Sequence, residues 1–251
     1  MGWYDISLSN GYVDIVFEGH SHQSYAYADS YGVYHVQGSG YNSGISAAEV
    51  RLNFANQQSN TSNVRVIRNS EYSQYANETI INELVEKYKD EIGNPNEVVA
   101  TLNYKVSSTD IVNKVAELYC SIGLQTWGSK YQIMLGGGYL NTREPYSLSN
   151  GNVTVGQVQT ILPFENKIVL CSLNGTELKN KFIYNKKYHV SYSAYGESEK
   201  DNVAYNPKKT YYIVTDTYTS DYQHLTVLAT LGDNVFAKDL LCDYLRSGGT
   251  F

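Results

Sequence analysis

The spacing of apolar and polar residues predicts a short set of strands followed by a long helix in the first hundred residues. Residues 12–17 are apolar apart from Asp14, and residues 48–54 alternate apolar and polar side chains, so both segments are typical of strands. Further strands are predicted at 33–37 and 63–68. Apolar residues then recur about every four positions over residues 72–92, the period of an amphipathic helix, which Gly93 and Pro95 end.

Beyond residue 97 the pattern predicts a mixture of strands and helices. Strands are predicted at 98–104, 131–135, 168–173, 188–193, 211–215 and 225–230, and helices at 109–124, 177–184 and 237–246. The glycine run 136–138 reads as a loop after a strand, and Thr176 reads as the residue that opens the second helix. The predicted fold class is therefore α+β with a mixed sheet. The pattern divides the chain into residues 1–69, a helix and turn at 70–96, and a second domain at 97–251.

Composition indicates a folded, soluble chain and excludes two classes of partner. With 42% hydrophobic and 18% charged residues, the 251 residues can bury a core. The formal net charge of -6, without a dense stripe of Lys and Arg, argues against a nucleic-acid polymer as partner. No apolar run approaches the ~20 residues of a membrane span, and the first residues lack the pattern of a secretion signal.

Two histidines follow the first predicted strand and are candidates for metal ligands. His20 and His22 alternate in a loop after Gly19, and imidazole is a common ligand for transition metals. A catalytic metal needs about three protein ligands and an open position, so this pair would be part of a site. The sequence alone leaves open whether the pair binds metal or is a surface pair.

Four motifs resemble, in their order, the 5′-nucleotidase family of calcineurin-like metallophosphoesterases. These are Asp-Ile-Val-Phe-Glu-Gly-His-Ser-His-Gln at 14–23, the glycines at 136–138, Leu-Pro-Phe-Glu-Asn at 162–166, and Leu-Asn-Gly-Thr-Glu-Leu at 173–178. The resemblance covers nearly the whole chain and implies the C-terminal portion of such an enzyme. Residues 1–69 would be the last strands of an α/β metallophosphoesterase sandwich, and 97–251 a nucleotide-recognition domain.

The resemblance also implies a pair of divalent ions, Zn, Mn or similar. His20 corresponds to a ligand of one ion and His22 to a ligand of the other. The remaining ligands would come from earlier loops that this sequence does not include, so the chain by itself is expected to be inactive. A separate N-terminal half is one alternative, and by analogy with the family the parent enzyme is expected to be exported.

On the substrate side, the resemblance implies a nucleotide or nucleoside ligand whose base stacks between two aromatic rings. Phe164 fits the first ring and Tyr218 the second, and the alternative is that Phe164 belongs to the core and Tyr218 to the surface. The other implied contacts are Asn166, Gly137, Gly138, Asp221 and Arg143.

Departures from the family pattern widen the range of substrates. Leu135 and Leu140 stand where the family has an Asn and a phosphate-binding Arg, and Arg143 lies three residues late. Because a bidentate guanidinium is a strong phosphate ligand, its loss predicts weaker or altered binding. The alternatives are a 2′,3′-cyclic nucleotide phosphodiesterase, a sugar-phosphate hydrolase, or a degenerate module that binds nucleosides without catalysis.

Overall fold

The computed structural model describes residues 13–40, 44–56, 58–74, 79–88, 93–139, 147–200, 205–232 and 235–251. The chain divides into two compact units, Met1–Lys87 and Tyr88–Phe251. The division lies within the segment 70–96. Among the described residues, none of the helices combines the length and hydrophobicity that a bilayer crossing requires.

The first unit contains a three-stranded sheet and a separate hairpin. Its elements are β1 Ile15–Glu18, β2 Tyr25–Ala28, β3 Tyr34–Gln37, β4 Gly44–Asn53, β5 Gln58–Arg68, a 3₁₀ helix Asn69–Gln74 and α1 Thr79–Tyr88. β3 is the central strand, parallel to β1 and antiparallel to β2. The loop between β1 and β2 therefore crosses the end of β3.

The single helix predicted over residues 72–92 is wrong in its extent. The structure has the 3₁₀ helix and α1, and residues 75–78 and 89–92 lie outside the described part. Residues 48–53 of the alternating segment form a strand as predicted, within β4, and Phe54 follows it in a turn. Leu52 is nevertheless 61% exposed and Phe54 88%. Alternation thus identifies the strand, whereas burial of its apolar face depends on what packs there.

The second unit is built on a five-stranded mixed sheet. Its elements are β6 Val98–Leu102, α2 Ser108–Trp127, β7 Ile133–Tyr139, β8 Gly151–Thr154, α3 Val155–Ile161, β9 Ile168–Asn174, α4 Gly175–Leu178, a π-helical turn Lys179–Ile183, β10 Tyr188–Tyr192, α5 Ala194–Lys200, β11 Thr210–Asp216, α6 Thr217–Tyr222, β12 Thr226–Thr230 and α7 Ala237–Arg246. The strand order is β10-β7-β11-β9-β12, and β7 and β11 are parallel while the other neighbours are antiparallel. The predicted mixed sheet is confirmed.

Apolar side chains of β9 alternate between the two faces of this sheet. Ile168 and Leu170 pack with α2, whereas Val169 and Cys171 pack with Leu178 and the π-helical turn. Each face is therefore covered by a helical segment. A strand buried on both faces carries a continuous apolar run, as residues 168–171 of β9 do.

Two local predictions in this unit are wrong. The glycines at 136–138 lie inside β7 instead of forming a loop, because α2 packs directly on this strand: a Cβ on Gly136 would lie 2.2 Å from the carbonyl oxygen of Ala116. The helix predicted from Thr176 starts earlier, at Gly175, since the side chain of Asn174 accepts the backbone N–H of Glu177 and caps it.

Candidate functional site

The histidine loop of the first unit, residues 19–24, presents both imidazoles on a constrained backbone. His20 has φ of 75° and His22 has φ of 58°, a region that side-chain-bearing residues seldom adopt. The N–H of Ser21 donates to the carbonyl of Gly19 at 3.0 Å, so the chain makes a three-residue turn around His20. Both histidines are exposed. Strain of this kind clusters at functional sites.

A polar cluster lies beneath the point where this loop leaves the sheet. Nδ1 of His35 lies 2.5 Å from Oε1 of Glu18, and the hydroxyl of Tyr25 donates to Oε2 of the same carboxylate. Burial alone would raise the pKa of Glu18, but the hydrogen bonds from Tyr25 and His35 lower it below its ordinary value. The hydrogen bond between Tyr25 and Glu18 is the main reason that the pKa of Tyr25 is raised to about 12. Glu18 is therefore held as an anion at the base of the loop.

His20 and His22 carry side chains of a type that binds metals. Two imidazole nitrogens are suitable ligands for Zn²⁺ and Fe²⁺. In the described part of the chain, no three His, Cys, Asp or Glu side chains are grouped as metal ligands would be. The pair thus offers two ligands of the larger number that a catalytic metal site requires.

The second unit contains a small pocket of about 40 Å³ beside α2. It is lined by Val112, Val115, Tyr119, Gly138, Leu162, Phe164, Asn166, Asp216 and Ala237. Three of the residues predicted to contact substrate, Gly138, Phe164 and Asn166, therefore share this pocket. Its volume admits the edge of one ring or a few water molecules.

The other predicted contacts lie elsewhere. Gly137 is in the same strand but faces the ring of Phe182, and its carbonyl accepts the hydroxyl of Thr215 at 2.8 Å. Asp221 is exposed on α6. Arg143 lies outside the described residues.

Two hydrogen bonds join the segments that carry Phe164 and Tyr218. The N–H of Thr217 donates to the carbonyl of Lys167 at 2.9 Å, and the N–H of Lys167 donates to Oγ1 of Thr217 at 3.2 Å. Phe164 is 37% exposed and Tyr218 42%, so solvent reaches both rings. Tyr218 also stacks on Tyr222, with ring centroids 6.1 Å apart and planes at 10°.

Asp216 and Tyr119 are pocket residues that the sequence patterns did not single out. Both are buried, and the hydroxyl of Tyr119 lies 3.3 Å from Oδ2 of Asp216. Oδ1 of Asp216 accepts the N–H of Thr219 at 2.8 Å and caps α6. Asp216 could have been singled out as a candidate, because it lies at the carboxyl end of a predicted strand. Tyr119 gave no such signal, because it lies within an apolar helix face.

Burial raises the pKa of Asp216, although the hydrogen bonds that the carboxylate accepts oppose that rise. The pKa of Tyr119 is also raised, mainly by burial and secondly by the nearby carboxylate of Asp216. The raised pKa of Asp216 means that folding favours its protonated form. Its contribution to stability is complete below its ordinary pKa of 3.8 and is lost as pH rises through the folded-state pKa.

We therefore expect Asp216→Asn to unfold at a higher temperature than the wild type near neutral pH, with the difference shrinking towards about pH 4. Asparagine keeps the cap on α6 and removes the buried charge. Thermal unfolding followed by circular dichroism across this range measures the effect, with Asp221→Asn on the same helix as an exposed control. A lower unfolding temperature for Asp216→Asn near neutral pH would show that the carboxylate is stabilised in place.

Comparison with known proteins adds solved structures of the same fold. The sequence matches no family model and no curated protein. A protein assigned as a 5′-nucleotidase from Staphylococcus aureus, solved in complex with α-ketoglutarate, matches 95% of this chain and 55% of its own, with TM-score 0.58 and 14% identity. A 5′-nucleotidase precursor from Thermus thermophilus matches 94% of this chain and 56% of its own, with TM-score 0.56 and 16% identity.

The sulfate thiohydrolase SoxB, also from Thermus thermophilus and solved with glycerol, matches 98% of this chain and 50% of its own, with TM-score 0.55 and 14% identity. The chain thus spans about half the length of the solved structures that it matches. Identity at this level establishes the fold alone, and the three structures are named for two different activities. The chain has the α+β fold of the C-terminal part of a 5′-nucleotidase, as the sequence motifs predicted.

Proposed function

We propose that this chain is the substrate-recognition part of a two-metal phosphoester hydrolase that acts on nucleotides. The observation that carries the proposal is the pocket that brings Phe164 and Asn166 together with Gly138, which is distant in the sequence. The hydrogen-bonded contact between the segments of Phe164 and Tyr218 supports the same site. The likeness of the fold to 5′-nucleotidases from two bacteria supports the class of reaction.

In this proposal the residues of the second unit bind and orient the base. Phe164 offers a partly exposed ring for stacking, and the side-chain amide of Asn166 can both donate and accept hydrogen bonds at the edge of a base. Stacking is tolerant of base identity because every base has a π-face. Recognition is then broad among nucleosides and depends little on the phosphate.

His20 and His22 are proposed to ligate one ion each of a divalent metal pair. When bound, the metal pair supplies Lewis-acid activation of a water molecule and of the phosphate. The two imidazoles are exposed on a constrained loop and so are accessible to a metal ion. The remaining ligands are assigned to the other half of an enzyme about twice this length. The chain on its own would then release no phosphate. We further propose an exported parent enzyme, in line with the description of the Thermus thermophilus 5′-nucleotidase as a precursor.

A calorimetric titration of the 251-residue chain tests the proposed specificity. Adenosine and AMP are expected to bind with similar affinity, and ribose 5-phosphate at least about tenfold more weakly, since the base supplies most of the contact. No phosphate release is expected when Zn²⁺ or Mn²⁺ is added. Equal affinity for ribose 5-phosphate would instead favour a sugar-phosphate hydrolase.

A binding module without catalysis is the second candidate. The observation that favours it is that Leu135 and Leu140 stand where the family that the sequence resembles has an Asn and an Arg. Completing the enzyme separates the two. If the chain is supplied with a metallophosphoesterase half of matching fold, an enzyme subunit restores hydrolysis of AMP or of 2′,3′-cyclic AMP, and a binding module does not.

A further inference from the structure

The loop that carries His20 and His22 crosses the end of β3, and one side chain from that strand reaches into it. Gln37, the last residue of β3, pairs with Glu18 at the end of β1 and with Tyr25 at the start of β2. It therefore lies beneath the neck of the loop. Gln37 is almost completely buried, with 1% of its surface exposed.

The amide of Gln37 makes two hydrogen bonds to this loop. Its Nε2 donates to Oγ of Ser21 at 2.6 Å and to the carbonyl oxygen of Gln23 at 2.9 Å. The carbonyl can only accept, so the atom that faces it must be the amide nitrogen. The two bonds lie on either side of His22, and Ser21 separates the two histidines.

A second contact is made to His22 itself. The N–H of Gly40 lies 3.4 Å from the carbonyl oxygen of His22, and a Cβ on Gly40 would lie 2.6 Å from Cβ of His22. The backbone of Gly40 is thus in close contact with His22. Groups at the end of β3 and just beyond it therefore hold the loop in its strained conformation, together with the turn inside the loop itself.

We propose that Gln37 is a positioning residue that holds the histidine loop in a metal-binding conformation, an inference that rests on the metal ligation proposed for His20 and His22. Gln37 differs from an ordinary core residue in one respect. Its Oε1 is buried and has no hydrogen-bond partner among the described residues. An apolar side chain of the same length would avoid that cost, whereas only a donor can hold the carbonyl of Gln23.

The test uses Co²⁺ as a paramagnetic substitute for Zn²⁺ and follows the imidazole resonances of the intact chain by NMR. The chain has five histidines, so His189 and His224 serve as internal references. In the wild type, the resonances of His20 and His22 are expected to respond at a lower Co²⁺ concentration than those of the references. Gln37→Met is expected to raise that concentration about tenfold or more, the usual effect of losing a residue that orients metal ligands.

Separate controls cover the folding of the variant protein and the effect of substituting other residues in the loop. The unfolding temperature of Gln37→Met should stay near that of the wild type, since methionine fills the same space and leaves no buried unpaired oxygen. Ser21→Ala removes one of the two bonds without altering a buried position, and a smaller loss of Co²⁺ response is expected. Gly19→Ala is the matched control within the loop, because a Cβ at Gly19 has no atom within 4 Å, and no change is expected.

Two negative results have different meanings. In the first, His20 and His22 respond to Co²⁺ in the wild type, and Gln37→Met and Ser21→Ala respond at the same concentration. The positioning role of Gln37 is then wrong, while the assignment of the two histidines as metal ligands is supported. If His20 and His22 of the wild type respond no earlier than the two reference histidines, the metal assignment is overturned and the role of Gln37 with it.

Discussion

Replacing Phe164 by alanine is expected to weaken adenosine binding by about 5- to 150-fold, the equivalent of the ~1–3 kcal/mol that one aromatic ring contributes by stacking on a base. Phe164 lines the pocket and is 37% exposed, so its ring lies outside the core and is accessible for stacking with a ligand. Thermal stability should therefore change far less than affinity. Calorimetry with adenosine, beside thermal unfolding of the same preparation, measures both.

Variants that keep or remove a ring separate stacking from a general loss of structure. Phe164→Tyr retains the π-face and should bind adenosine nearly as well as the wild type. Tyr218→Ala tests the second proposed ring and should also weaken binding. Tyr184→Ala removes a ring that is 63% exposed at the end of the π-helical turn of the same unit and should have no effect. If Phe164→Ala and Tyr218→Ala both bind like the wild type, the nucleoside pocket is refuted.

The largest effect on stability is expected for Gly136→Ala, which should cost about 3 kcal/mol or more, at the upper end for overpacking a core. The added Cβ would lie 2.2 Å from the carbonyl oxygen of Ala116 and 2.5 Å from the backbone nitrogen of Cys120. Both are backbone atoms of α2, so the helix itself would have to move away from β7. The unfolding temperature should fall by roughly 6–12 °C for a unit of this size.

Gly232→Ala is the matched control for this substitution. A Cβ at Gly232 meets nothing within 4 Å, so its unfolding temperature should stay close to that of the wild type. The comparison also separates two roles for the glycine run. A Gly136→Ala protein that is as stable as the wild type but has lost adenosine binding would mean that these glycines serve the ligand and not the packing of α2.

The predictions from sequence differ in quality for reasons visible at particular residues. The strand at β9 was recognisable because a central strand carries apolar side chains on both faces, and α7 because its apolar residues recur with helical period. The short elements β2, β8, α3, α5 and α6 were not predicted, since segments of four to seven residues offer too few repeats of any period. The glycines in β7 were misread as a loop because their flexibility is evident in sequence and the helix that packs against them is not.

The sequence by itself determined the fold class, because the order of strands and helices can be predicted from the spacing of apolar residues. It also determined the motifs, namely the two histidines after a strand and the aromatic residue in Leu-Pro-Phe-Glu-Asn. Only the tertiary structure decided which distant residues share a pocket with Phe164, and that Asp216 beside this pocket and Gln37 beside the histidine loop are buried polar residues. The physical reason is that hydrophobic period and turn chemistry are properties of adjacent residues. Burial, pKa and hydrogen-bond partners depend instead on strand order and helix packing, which bring together residues that are far apart in sequence.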